Sequence, residues 1–203
     1  MKKEMDKIKK KLKINKKITI FLVTLIIIGI ISGTIFAFII KQEDKLLVTE
    51  QLNNFLKNIN MLNKPQAFFN SLTDNYSHTI IMWFLGISVI GLPLILILFF
   101  SKSFIIGFTI TNIIINYKVK GLLISLVYIF PHQIINLILY MLLTTYASAF
   151  SVKLIYTIIK TKQMDFKLIL SKYIKILIIC LIGFLLTSLY EAYIMPEILK
   201  LIK

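Results

Sequence analysis

The chain contains no arginine: all 24 of its basic residues are lysine, set against nine acidic residues for a formal net charge of +15. Arginine supplies the planar fork favoured for bidentate contacts to phosphates and bases, so its absence argues against nucleic-acid recognition despite the positive charge. Lysines beside apolar runs instead report membrane topology. Cysteine is almost as scarce. The lone Cys180, inside an apolar run, excludes an intrachain disulfide and offers no metal-ligating pair. The two histidines are His78 and His132. No HExxH, GxSxG or glycine-rich phosphate loop occurs, and no apolar run carries paired aspartates. The sequence therefore predicts no catalytic set, no metal site and no cofactor.

What the chain has in quantity is apolar sequence. Of 203 residues 58% are hydrophobic and mean hydropathy is +0.85, outside the range of soluble domains. The apolar residues come in runs long enough to span a bilayer, which predicts an all-α, polytopic integral membrane protein in contact with membrane lipid. About five spans are expected, in a single membrane domain. Residues 1–17 form a basic tail with nine lysines, and 18–40 a first span too long for a typical signal-peptide core. Residues 41–77 form a polar segment with helical periodicity through Val48, Leu52, Phe55, Ile59 and Leu62. Asn63-Lys64-Pro65 breaks it, and Phe68, Phe69, Leu72 and Tyr76 begin a second apolar face. This segment reads as an external amphipathic helix or helical pair, resting on lipid or against another protein. A second span is expected at 79–100, ending where Lys102 leaves the hydrocarbon. Residues 103–117 then form a short third span or re-entrant piece, and 121–156 a fourth interrupted near Pro131. A basic loop at 157–175, a fifth span at 176–195 and a tail at 196–203 complete the chain.

Charge sets the expected orientation. The tail 1–17 and the stretch 153–175, with six lysines against Asp165, read as cytoplasmic. Four lysines and four acids balance in 41–77, as expected of the non-cytoplasmic side. The N-terminus is thus expected inside and the C-terminus outside.

Small residues mark where helices approach closely. Gly29, Gly33 and Ala37 recur every four residues on one face of the first span, and Gly86, Gly91, Pro93 and Gly107 gather in the stretch 83–109. Gln133, Asn136, Tyr140, Thr144, Ser148 and Ser151 form a polar stripe on the fourth span. Either it bonds to neighbouring helices or it lines a polar path. Gly183, Thr187 and Glu191 share a face of the fifth span. These residues, with Pro131 and His132, are the structural and interaction candidates.

Three runs resemble one family. The Gly-x-Pro helix with Ser-Phe-Ile-Ile-Gly-Phe-Thr after Lys102, the run Pro131-His132-Gln133-Ile134-Ile135-Asn136, and Tyr190-Glu191-Ala192-Tyr193 with Pro196 are similar to stage II sporulation protein M. The family pattern has Gly where Gln133 stands and Glu where Asn136 stands. The resemblance implies a non-enzymatic membrane component of endospore formation, in the mother-cell septal and engulfing membrane. Its implied partners are a peptidoglycan amidase/endopeptidase and a lytic transglycosylase, which remodel the septum during engulfment. The alternative from the residues themselves is a small-solute or lipid transporter using the polar stripe, His132 and Glu191.

Overall fold

A computed structural model describes residues 16–57, 63–88, 90–160 and 166–202, and among these every element is helical. They are α1 (Lys16–Ile39), α2 (Gln42–Lys57), α3 (Lys64–Ile87), α4 (Gly91–Ile124), α5 (Phe130–Lys160), α6 (Phe166–Leu189) and α7 (Met195–Ile202). π-helical turns at Ser125–Ile129 and Tyr190–Ile194 join α4 to α5 and α6 to α7. Four stretches are long and apolar enough to cross a membrane: Ile18–Ile39, Gly91–Val127, Phe130–Thr157 and Ile169–Ile198. α3 is a fifth long helix, of 24 residues, laid among them. The basic tail expected before residue 16, and Ile59 and Leu62, lie outside the described residues.

The helices keep one register throughout. α1 and α4 run parallel, since Gly29 faces Phe100 and Ser103 while Gly33 faces Phe104 and Phe108. α3 runs antiparallel to α6, as Ser71 reaches Ser188, Tyr76 reaches Leu181 and Trp83 reaches Tyr173. α5 descends beside α3 from Tyr140 at Asn75 to Ser151 at Ser88. One end of the bundle thus holds the start of α1, the α3–α4 break, the end of α5 and the start of α6. The other holds the end of α1, α2, Lys118 and α7. Lys153 of α5 and Lys167 and Lys172 of α6 therefore belong to the same end, called here the Ser88 end.

The seam between α1 and α4 is the closest approach. A Cβ on Gly33 would strike the Phe104 carbonyl oxygen, one on Gly107 the Ile30 carbonyl oxygen, and one on Gly29 would sit 2.7 Å from Ser103 Cβ. Thr111 donates to Thr34 at 3.1 Å farther along the same line. Glycines on both helices thus let the two backbones touch, the arrangement that drives helix association in lipid.

Several boundaries differ from the sequence expectation. The helix predicted over 79–100 is instead broken at 88–90, and Lys102 lies well inside α4 rather than at a turn. Pro93 accordingly occupies the first turn of α4, where its missing N–H costs little, and does not kink a span. Gly91 permits the tight break, because a Cβ there would strike the Leu85 carbonyl. Lys102 stays within the bundle because Asp74 of α3 pairs with it at 3.0 Å. The residues before the next bend, 91–117, then make one helix of about 40 Å, so the stretch 103–117 is neither short nor re-entrant.

That bend is at Lys118, whose φ of 52° and ψ of −127° depart from the helix. The chain folds back there, since a Cβ on Gly121 would strike the Ile113 carbonyl and Ile113 packs with Ile124 and Ile129. The fourth span is not interrupted at Pro131 either. The π-helical turn before it moves the backbone bonds by one residue, with Phe130 N–H donating to Ser125 O, and the helix continues. Likewise α3 starts at Lys64, capped by Asn63 with Pro65 in its first turn, and runs unbroken through the boundary expected near residue 77.

Four outcomes test this fold. Gly33→Ala and Gly107→Ala should each cost about 1–3 kcal/mol and lower the melting midpoint in detergent by roughly 2–12 °C. Gly183→Ala should change it little, because only the turnable Leu139 side chain faces that position. Lys118→Gly should raise the midpoint by roughly 2–4 °C, by relieving about 1 kcal/mol of backbone strain. In a Cys180→Ala background, single cysteines at Ile90 and Val119, both exposed, should label from opposite sides of the membrane. Labelling from one side would overturn the crossing of 91–117.

Candidate functional site

The two π-helical turns each lie just before a proline, Pro131 and Pro196, and the fold brings them to the same end of the bundle. His132, on the first turn of α5, is buried, with Nε2 3.9 Å from Glu191 Oε1. That is beyond hydrogen-bonding distance, so the two are electrostatic neighbours. The other Glu191 oxygen, Oε2, accepts a 2.6 Å hydrogen bond from Ser71 of α3. Ser71 and Ser188 hydroxyls lie 3.1 Å apart, Asn75 Nδ2 lies 3.5 Å from Ser188 Oγ, and Tyr140 donates to Asn75 Oδ1 at 3.0 Å. A polar line thus runs from Glu191 inward between α3, α5 and α6.

The line ends at mid-depth on a second ionic feature. Lys102 bonds to Asp74, and its Nζ sits 5.5 Å from the centroid of the Tyr140 ring. Beside Glu191 lies a cavity of about 160 Å³. Its walls are mainly isoleucines of α4 and the first π-helical turn, with Leu52 of α2, and its polar rim is His132, Gln133 and Glu191. A space of this size takes an apolar group the size of benzene or a short acyl segment. The rim adds an acid and an imidazole that can fix a polar end.

The predicted residues fall into three groups. Gly29, Gly33 and Gly107 form the α1–α4 seam, while Gly86, Gly91 and Pro93 cluster at the Ser88 end. There Gly86 admits the hydroxyl of Tyr173, which donates to Trp83 O at 2.9 Å, and Tyr173 stacks between Trp83 and Phe150. Pro131, His132 and Glu191 meet at the opposite end. Asn136 is buried one turn below His132, and its Oδ1 has no hydrogen-bond partner among the described residues. Along the polar stripe, Tyr140 and Ser151 bond to α3, and Gln133 alone of the stripe lines the cavity.

Sequence reasoning missed Ser71, Asn75, Asp74 and Ser188. Ser71 and Asn75 are one helical turn apart, a spacing visible in the sequence, but the segment holding them read as lying outside the bundle. Among the described residues, no three His, Cys, Asp or Glu side chains gather closely enough to hold a metal ion.

A protein-family model, stage II sporulation protein M, matches residues 18–196. The chain belongs to that family. It is a sporulation-related, multi-pass membrane protein, and the match takes in all but the last two residues of the four stretches able to cross a membrane, together with the runs that meet at the His132–Glu191 site. No curated protein and no solved structure matches it significantly.

Glu191→Leu should cost about 1–2 kcal/mol of stability by removing the charged 2.6 Å acceptor of the Ser71 hydroxyl and leaving it the longer 3.1 Å contact with Ser188, whereas Glu191→Gln, which keeps a carbonyl oxygen, should cost less. Thermal unfolding in detergent measures the difference. Equal losses would place the role of Glu191 in its charge rather than in the bond to Ser71.

Proposed function

We propose that this protein is a non-enzymatic membrane scaffold that recruits and positions septal peptidoglycan hydrolases for forespore engulfment. In this reading the partners are the amidase/endopeptidase and the lytic transglycosylase implied by the family resemblance. The Ser88 end is cytoplasmic, and the end holding α2 faces the peptidoglycan. The observation that carries the reading is the way α2 is mounted. Thr49 bonds to Asn116 at 3.0 Å, Tyr117 donates to Asn53, and Leu52 packs beside Ile113. These contacts use one face of α2 and leave Leu46 and Leu47 exposed, 65% and 59%, among Glu43, Asp44 and Glu50. A helix held to the bundle through Thr49, Leu52 and Asn53, with exposed leucines among acids, suits a docking element, because part of its ordering cost is met before a partner arrives.

The transporter alternative gains little support from the same geometry. Two stripe residues, Tyr140 and Ser151, bond to Asn75 and to the carbonyl of Ser88, and the cavity touches only the first stripe residue, Gln133.

The mounting also redirects the obvious experiment. Leu52 holds α2 to the bundle, so changing it tests stability more than docking. Leu46→Ser with Leu47→Ser should instead release both hydrolases from the septum in sporulating cells, while the protein stays at its normal level in the membrane fraction. Septal hydrolases at wild-type intensity in that variant would remove α2 as the recruiting element.

A further inference from the structure

We propose that the exposed face of α3 is an intramembrane docking surface for a single transmembrane helix of another protein, one that carries a basic or amide side chain near mid-bilayer. The proposal rests on the scaffold reading above and adds where within the membrane a partner is held.

The depth of this face follows from the register of four helices. Asp74 pairs with Lys102, Asn75 with Tyr140, and Tyr76 with the carbonyl of Leu181. Lys102, Tyr140 and Leu181 all lie well inside stretches that are apolar and long enough to cross the membrane. Residues 74–76 of α3 are therefore at hydrocarbon depth.

At that depth the outward face of α3 is polar. Asn70, Thr73, Asp74 and Ser77 are exposed, flanked by Phe69, Ile81 and Phe84 at 63%, 52% and 62%. The other lipid-depth helices present aliphatic residues outward, as α1 does with Ile27, Ile31 and Ile35. Asp74 is the sharpest anomaly. Its side chain is 73% exposed while that of its partner Lys102 is 19% exposed, so the pair is covered from the lysine side and open on the carboxyl side. Acids at hydrocarbon depth are rare and face protein or a water-filled space. Hydroxyl and amide side chains at lipid depth are characteristic of helix–helix interfaces.

Charge selects the occupant. A second copy packed through α3 about a two-fold axis normal to the membrane would set Asp74 against Asp74, a like-charge contact that costs affinity. A helix presenting Lys, Arg, Asn or Gln at that level supplies the donor that the open side of the carboxyl lacks. The neighbouring Thr73 and Ser77 allow close approach, and Phe69 and Phe84 frame the contact along the helix.

The test is site-specific photocrosslinking of the full-length protein in sporulating cells. A benzophenone side chain is placed at Phe69, Ser77 or Ile81, with Ile31 on α1 as the lipid-facing control. The expected result is a protein adduct at the α3 positions but not at Ile31, mapped by mass spectrometry to a membrane-spanning segment of a different protein that holds a basic or amide residue. Asp74→Asn should reduce that adduct roughly three- to tenfold, the range of one interhelical hydrogen bond in a membrane. Lys102→Met, which leaves the face itself unchanged, should preserve or increase it. Adducts with lipid alone, or with a second copy of this chain, would overturn the proposal, as would an adduct indifferent to Asp74→Asn. Septal localisation of the hydrolases in the same cells reports separately on the scaffold reading. Normal localisation beside a lost α3 adduct would sink the docking surface alone, and an α3 adduct beside hydrolases that localise without this protein would sink the scaffold reading alone.

Discussion

Packing leucine against leucine inside a bilayer gains little over packing it against an acyl chain, so helices there are positioned by small residues and by polar groups that lack water. The placement of α3 is the clearest consequence. Three consecutive residues, Asp74, Asn75 and Tyr76, bond to α4, α5 and α6 respectively. Because these bonds point in different directions at one level, they fix both the depth and the rotation of α3. The remaining contacts follow from that setting. Ser71 arrives at Glu191, Gly86 arrives at Tyr173, and Ser151 reaches the carbonyl of Ser88. A helix too polar to be stable alone in lipid thereby becomes the strut on which three more apolar helices are aligned.

Both prolines that follow a π-helical turn act in the same way on the chain. A π-helical turn carries one extra residue, so side chains beyond it are rotated relative to those before it. Pro131 then sits in a continuous helix with its backbone bonds rearranged, and His132 is turned into the bundle. At Tyr190–Ile194 the same device precedes Pro196, buries Ala192 and turns Glu191 toward Ser71 and His132. Two of the runs that resemble the family are therefore not separate features. One follows a π-helical turn and the other contains one, and together they bring an imidazole and a carboxyl to the rim of one cavity.

How far this was legible in the sequence depended on whether the signal was periodic or pairwise. The α1 stripe of Gly29, Gly33 and Ala37 is periodic, and it lies against α4. The all-helical membrane fold followed from run length. Lys102 misled because a lone lysine in an apolar run is the usual sign of a membrane boundary. It is reversed only by Asp74, 28 residues earlier, on a segment that read as external. With α3 set outside, Ser71 and Asn75 could not be seen as partners of the last span. The bend at Lys118 falls in the gap expected between 103–117 and 121–156, but its positive φ had no signal, since lysine is an unusual choice there and glycine lies three residues away, at Gly121. Pairings across distant segments carry the misread parts, and a single sequence does not display pairings.

The departures at 133 and 136 acquire a physical meaning from this geometry. Where the family pattern has an acid, this chain has Asn136, buried one turn below His132 with its carbonyl oxygen unpaired among the described residues. Where the pattern has glycine, Gln133 places an amide on the cavity rim. A buried acid at 136 would carry a desolvation cost when charged, whereas an amide brings hydrogen-bonding capacity without a charge. Glu191 is then the sole acid on the rim, held by the Ser71 hydroxyl and neighboured by His132. Around this one carboxyl the described groups are hydrogen-bonding or neutral rather than acidic, an arrangement that holds a polar group in place.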